Sequence, residues 1–345
     1  MKFVHETRPG RVVFGAGTRH QLAEEVERLG VKRLLVVCAP GQADLAAELT
    51  APLPNTVLHP HAVMHIPVST AEKAIALSEG TDGCLSVGGG SAVGLAKAVA
   101  KETGLPIIAV ATTYAGSEMT PVWGLTANGH KTTGRDPKVL PTTVIYDPEL
   151  TVSLPPGLSV TSGMNALAHS AEALYAPDCS PITALVAAES VRAIASALPR
   201  IVENPRDLDA RSDALYGAWL AGTALGSTTM SLHHKLCHLL GGTFDLPHAE
   251  THTAVLPHVL AFNLPASPAA HAALNLGPDP ATRLYDLARS LGAEMSLKAL
   301  GLPETGLSTV ADQALAAPYA NPRPVTTDAL QTLLRNAFLG TAPTA

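Results

Sequence analysis

With 345 residues, 46% hydrophobic and 15% charged, the chain is too long for one simple core and suits two compact domains rather than a disordered segment. Its formal net charge of -6 and 4% aromatic content argue against a nucleic-acid partner, which calls for a basic surface or stacking platforms. The four cysteines, Cys38, Cys84, Cys179 and Cys237, form no CxxC pair, so neither a disulfide framework nor a cysteine-based zinc site is expected.

In chain order, residues 11–14 read as a strand, 15–17 as a turn, and 18–29 carry apolar residues at helical spacing. Residues 34–38 form a continuous apolar run, as expected of a strand buried on both faces. A second such run, 83–87, leads directly into Gly88-Gly89-Gly90-Ser91 and a helix over 92–101. Residues 106–111 and 142–146 read as further strands. Strands alternating with helices predict a parallel sheet covered on both faces. After residue 154 the β signal fades, and alanine- and leucine-rich stretches at 162–175, 182–198 and 209–225 read as helices. The proline-rich stretches 265–280 and 318–324 read as loops. The expected architecture is α/β plus all-α: a Rossmann-like, parallel-sheet nucleotide-binding domain over 1–154 and an all-α domain over 155–345, with the active site in the cleft between them. Residues 1–11 show no apolar leader, and no uncharged apolar run has the length of a membrane span, so a cytoplasmic protein with no membrane contact is expected.

Gly88, Gly89, Gly90 and Ser91 stand between a buried strand and a helix. Glycines let a backbone approach a phosphate closely, and a helix N-terminus offers free N–H groups and the positive end of its dipole. A tight strand-to-helix turn is the competing reading. Gly94 follows one turn on, where a side chain would obstruct close packing. Thr112, Thr113 and Ser117 follow the next strand, and ligands of open α/β sheets bind at the C-terminal ends of strands. The strand at 34–38 ends in Cys38-Ala39-Pro40-Gly41, without the acidic residue that binds a ribose 2′-hydroxyl and rejects a 2′-phosphate. A nicotinamide cofactor bound there is expected to be NADH with tolerance of NADPH.

In the helical half, Asn165 and His169 are spaced i, i+4, as are His234 and His238, and His248 and His252. Imidazoles at this spacing can hold zinc or iron if the segments meet. Any one of them read alone is an ordinary surface or hydrogen-bonded histidine.

Together, the glycine loop 88–91, Asn165-x3-His169, His234-x3-His238 and Pro247-His248 resemble the iron-containing alcohol dehydrogenase superfamily. Stretches 9–17, 113–120, 231–238 and 321–325 are similar to its maleylacetate reductases. The resemblance implies a dehydroquinate synthase-like fold and reduction of maleylacetate, or substituted maleylacetates, to 3-oxoadipate in aromatic-compound catabolism by a homodimer. It also implies a metal site of three histidines and an aspartate, falling here on His169, His234, His248 and Asn165. A neutral amide does not balance a cation, so no metal is expected to be required. His238 falls beside the nicotinamide and is the expected proton donor or ring-positioning group. Asn165, His169, His234 and His248 are then the expected contacts for the dicarboxylate substrate and its oxyanion. Arg323 is an outer candidate for the carboxylates, with Lys131 and Arg135. The alternatives are a metal-dependent (Fe/Zn) alcohol dehydrogenase of the same superfamily, against which Asn165 speaks, and a metal-dependent hydrolase, against which the glycine loop speaks.

Overall fold

Six strands form one parallel sheet in the order β1-β8-β5-β4-β2-β3, where β1 is Arg11–Phe14, β2 Leu34–Cys38, β3 Thr56–His59, β4 Gly83–Gly88, β5 Ile107–Ala111 and β8 Thr143–Tyr146. Between β5 and β8, β6 (Val122–Ala127) and β7 (His130–Arg135) pair as an antiparallel hairpin. The structure is a computed structural model and describes residues 3–5, 10–127 and 130–344; Pro9 and the side chains of His130 and Lys131 lie outside the described residues.

The apolar runs become central strands because each strand feeds two cores. Successive side chains of a strand point to opposite faces. Leu34 and Val36 accordingly join Leu85, Val87, Ile108 and Val110 in one apolar cluster, while Leu35 and Val37 join Cys84, Leu95 and Val99 in another. Helices α1 (Leu22–Arg28), α2 (Ala43–Thr50), α3 (Val68–Leu77) and α4 (Gly90–Thr103) connect the strands. The helix expected over 18–29 opens with a 3-10 turn, Thr18–Gln21, before α1. β3 and the hairpin were not anticipated. β3 is a four-residue edge strand in which Thr56 and Leu58 are exposed, so it lacks the apolar run of the central strands.

The chain divides into two compact units: Thr7–Leu154 with Arg206–Leu215, and Pro155–Pro205 with Tyr216–Ala345 and Met1–Glu6. The helices after β8 are α5 (Pro156–Leu174), α6 (Pro181–Glu203), α7 (Leu208–Gly226), α8 (Leu232–Phe244), α9 (His248–Asn263), α10 (Pro268–Leu274), α11 (Pro280–Ser290), α12 (Gly306–Leu315) and α13 (Thr327–Leu339). The stretch 265–280, expected as a loop, contains α10 and the start of α11. Pro268 and Pro280 sit at the first turns of helices, where the missing N–H would have no intrahelical partner, and Asp279 caps α11 by accepting from the Thr282 N–H at 3.1 Å. Gly163 lets α5 and α6 approach closely, since a Cβ there would stand 2.7 Å from Leu198. α6 is long and apolar enough to cross a membrane by length and composition alone. It carries Glu189, Arg192 and Arg200, and it packs along α5. The buried faces of α8, α9, α12 and α13 share a core built on Leu236, Leu240, Val255, Val259, Leu333 and Leu334.

Candidate active site

The glycine loop lies at the C-terminal end of β4. Gly88 has φ +143°, a region closed to most side chains. A Cβ on Gly89 would fall 2.6 Å from Thr113 Oγ1, and one on Gly94 would fall 2.2 Å from Ile66 Cδ1. Gly90 is exposed at the start of α4, which has no side-chain cap. The N–H of Thr112 donates to the Gly88 carbonyl at 3.2 Å, stitching the loop after β5 to the glycine loop. Gly88 and Gly89 are thus packed against Ala92 and Thr113, while Gly90 leaves the start of α4 open. A glycine at an uncapped helix start leaves free backbone N–H groups open to an anion. Ser117 follows on the same loop, where its carbonyl and hydroxyl accept from the buried Lys97 amino group at 2.6 and 3.3 Å, leaving the hydroxyl proton to donate. No carboxylate stands at the end of β2, where a turn over Pro40–Gln42 follows.

The second site is built within the helical unit. Asn165, His169 and Glu172 stand at i, i+4 and i+7 of α5, on one face. The first turn of α8 brings His233 and His234 against that face. Ser231, the N-cap of α8, makes no side-chain capping bond; the Glu172 carboxylate substitutes, accepting the backbone N–H groups of His233 at 2.8 Å and His234 at 3.4 Å. Glu172 also takes a short hydrogen bond from His234 Nδ1. His234 Nε2 lies 2.9 Å from His169 Nδ1, and His169 Nε2 lies 3.3 Å from Asn165 Nδ2.

α9 adds His252, whose ring is 5.1 Å from that of His234 and 4.4 Å from that of His248 at the start of the helix. His252 Nδ1 is 2.9 Å from His233 Nε2, and Cys237 Sγ is 3.7 Å from the same nitrogen. Burial, and then the neighbouring imidazoles, push His233 and His252 well below the usual histidine range; both are neutral at pH 7. Burial pushes the Cys237 thiol well up, so it stays protonated. His238 is only partly buried, with its ring 6.0 Å from that of His234.

The structure therefore brings together Asn165, His169 and His234, with His248 reached through His252 and His238 at the rim. Arg323 is held by the end of α9: its guanidinium lies 4.4 Å from the Phe262 ring and donates to the Phe262 carbonyl at 3.2 Å. Arg135 is exposed on β7. Glu172 was missed in the sequence, and so was Lys97. The only signal for Glu172 is its 0, 4, 7 spacing with Asn165 and His169.

The donor set fits a divalent ion poorly. One assignment of protons satisfies the row: Asn165 donates to His169 Nε2, His169 Nδ1–H to His234 Nε2, and His234 Nδ1–H to Glu172. Both rings then spend both nitrogens on protein partners. At position 165 the site offers only a neutral Oδ1, buried without a hydrogen-bond partner, where a divalent ion wants a balancing charge among its converging lone pairs. Among the described residues, the nitrogen and sulfur atoms that do converge belong to His233, Cys237 and His252, all within 4.8 Å of one another.

Comparison with known proteins places this geometry in a family. Residues 9–148 match the iron-containing alcohol dehydrogenase profile, and 159–338 match the C-terminal profile of the Fe-containing alcohol dehydrogenase family. The chain is 53% identical over 350 residues to a maleylacetate reductase of Sphingobium indicum, covering 99% of each, and 51% identical to one of Burkholderia cepacia over 348 residues, again covering 99% of each. It superposes on the crystal structure of maleylacetate reductase from a Rhizobium strain with a TM-score of 0.94 at 50% identity, covering 99% of both chains. The chain therefore belongs to the iron-containing alcohol dehydrogenase family, and within it to the maleylacetate reductases, and is an oxidoreductase.

Proposed function

We propose that the protein reduces maleylacetate, and substituted maleylacetates, to 3-oxoadipate or its derivatives with NADH, tolerating NADPH, as a cytoplasmic homodimer that needs no metal. The observation that carries this reading is the buried imidazole row closed by Glu172, with an amide at position 165 where metal-dependent members of the family are expected to hold a carboxylate.

Gly88, Gly89, Gly90, Ser91, Thr112 and Thr113 would hold the dinucleotide, and the absence of an acidic side chain at the end of β2 leaves room for a 2′-phosphate. When bound, the reduced nicotinamide supplies the hydride. Hydride at the alkene carbon β to the ketone drives the electron pair onto the ketone oxygen; a proton on the α carbon then completes the reduction. The protein has two tasks: to stabilise the enolate oxygen and to deliver that proton.

His169, His234 and His248, with Asn165, supply polar contacts for the enolate oxygen and the carboxylates. The His169 N–H now given to His234 can be given to an enolate oxygen instead, one hydrogen bond exchanged for a stronger, charge-assisted one. His238, at the rim and partly open, delivers the proton. Arg323 lies outside the histidine row and serves at most a distal carboxylate.

The test is NADH oxidation with maleylacetate before and after exhaustive chelation, with metal content quantified in the same sample. Activity retained by metal-free protein supports the whole reading. Activity lost and restored by iron or zinc overturns the metal-free part, and no activity in either sample overturns the substrate.

A further inference from the structure

We propose that Glu172 is a positioning residue that decides which imidazole of the His169–His234 pair offers an N–H to the reaction. This rests on the reading of the histidine row as the reductive site and deepens it.

Glu172 is 1% exposed, on the face of α5 that carries Asn165 and His169. As a carboxylate it can only accept. Three donors meet its two oxygens: the backbone N–H groups of His233 and His234, and His234 Nδ1. An acceptor at Nδ1 obliges His234 to carry a proton there. In the neutral ring Nε2 is then a lone pair, and that lone pair faces His169 Nδ1 at 2.9 Å. Two lone pairs at that distance repel, so His169 carries its proton on Nδ1 and leaves Nε2 to accept from Asn165 Nδ2 at 3.3 Å. One carboxylate thereby sets both tautomers. It makes His169, not His234, the ring with an N–H to turn towards an enolate oxygen.

Glu172 also anchors the first turn of α8, so a large truncation would disturb the fold as well as the tautomer. Glu172→Gln separates the two effects. Its amide oxygen still accepts the His233 N–H, but its NH2 donates towards His234 Nδ1 and forces the proton onto Nε2. The whole row is then reversed, while side-chain volume and position are kept.

The experiment uses the full-length protein with 15N-labelled histidine. The His234 ring signals are assigned by their loss in His234→Gln, and steady-state kinetics are measured alongside. Expected in the wild type is His234 protonated on Nδ1 and His169 on Nδ1. In Glu172→Gln, His234 moves to the Nε2-protonated form, and kcat falls by about 10²–10³-fold, the usual loss for one oxyanion donor, with the KM for NADH unchanged. Glu172→Asp, still an anion, is expected to recover at least part of kcat. A wild-type His234 protonated only on Nε2 overturns the proposal even if no variant folds. So does a folded Glu172→Gln enzyme with unchanged kcat, or with KM for NADH and kcat failing together. Wild-type protein that shows the expected tautomers yet does not reduce maleylacetate would refute the substrate reading and leave the tautomer assignment standing.

Discussion

Lys97 and Ser117 are joined through both acceptors of the serine: the buried amino group on α4 reaches the serine carbonyl at 2.6 Å and its hydroxyl at 3.3 Å. It also binds Thr120 Oγ1 at 2.9 Å and the Val122 carbonyl at 2.8 Å, so a single side chain ties down the loop that follows β5. Burial lowers Lys97 from its ordinary 10.5 to about 7, against the opposing pull of Glu118. Between those values the unfolded chain binds a proton that the folded chain does not. The contribution of Lys97 to stability therefore rises with pH across this window, by about 1 kcal/mol per unit, and is lost as pH falls towards 7. Lys97→Met should flatten that part of the curve in urea unfolding. It should also raise the KM for NADH, because Thr113 lies on the loop that is released.

Gly89→Ala should destabilise the protein by about 1–3 kcal/mol, since the new methyl overlaps the Thr113 side chain. Gly90→Ala is the informative partner: its nearest neighbour would be Ala115 Cβ at 3.8 Å, so the fold should not register it. If a pyrophosphate packs against this helix start, Gly90→Ala should still raise the KM for NADH while leaving Tm unchanged. Thermal unfolding and NADH titration of the two variants separate packing from cofactor contact.

The legible parts of the fold are those where burial leaves an uninterrupted apolar run or a helical spacing in the sequence. β2, β4 and β5 run through the middle of the sheet and are apolar on both faces, so their sequences announce them. β3, at the sheet edge, and the β6–β7 hairpin leave no comparable run. The prolines at 268 and 280 were misread because the same residue ends one helix pattern and opens the next. In the site, Asn165–His169 and His234–His238 are visible as i, i+4 pairs. Glu172, flanked by Ala171 and Ala173, looks like a solvent-facing helix residue. Its burial depends on the first turn of α8 arriving to donate two N–H groups, a tertiary event without a local trace.

His238 and His252 should fail in different ways. His252 is fully buried against His233, His234 and His248, so His252→Ala opens a hole in the helical unit and should cost about 2–4 kcal/mol. His238 stands at the rim. His238→Ala should unfold at nearly the wild-type denaturant concentration while kcat falls by about 10²–10⁴-fold, the range for losing a general acid. Unchanged turnover in a folded His238→Ala enzyme would remove it from the proton path.

Asn165→Asp tests why an amide stands on α5. The amide donates to His169 Nε2; a carboxylate cannot. An aspartate would draw a proton onto Nε2 instead, turn His169 Nδ1 into a lone pair, and set that lone pair against the one on His234 Nε2 at 2.9 Å. The conflict is relieved if a cation enters between the rings, held by the lone pairs of His169 Nδ1 and His234 Nε2, while the aspartate, hydrogen-bonded to His169 Nε2–H, adds the balancing charge behind the ligand. Asn165→Asp is therefore expected to bind zinc or iron more tightly than the wild type, on the order of tenfold or more by equilibrium dialysis, since ligand charge sets affinity for hard and borderline ions. Stripped of metal, it should reduce maleylacetate more slowly than the wild type, because the His169 donor is lost. Equal metal affinity in the two proteins would mean that position 165 does not govern metal binding at this site.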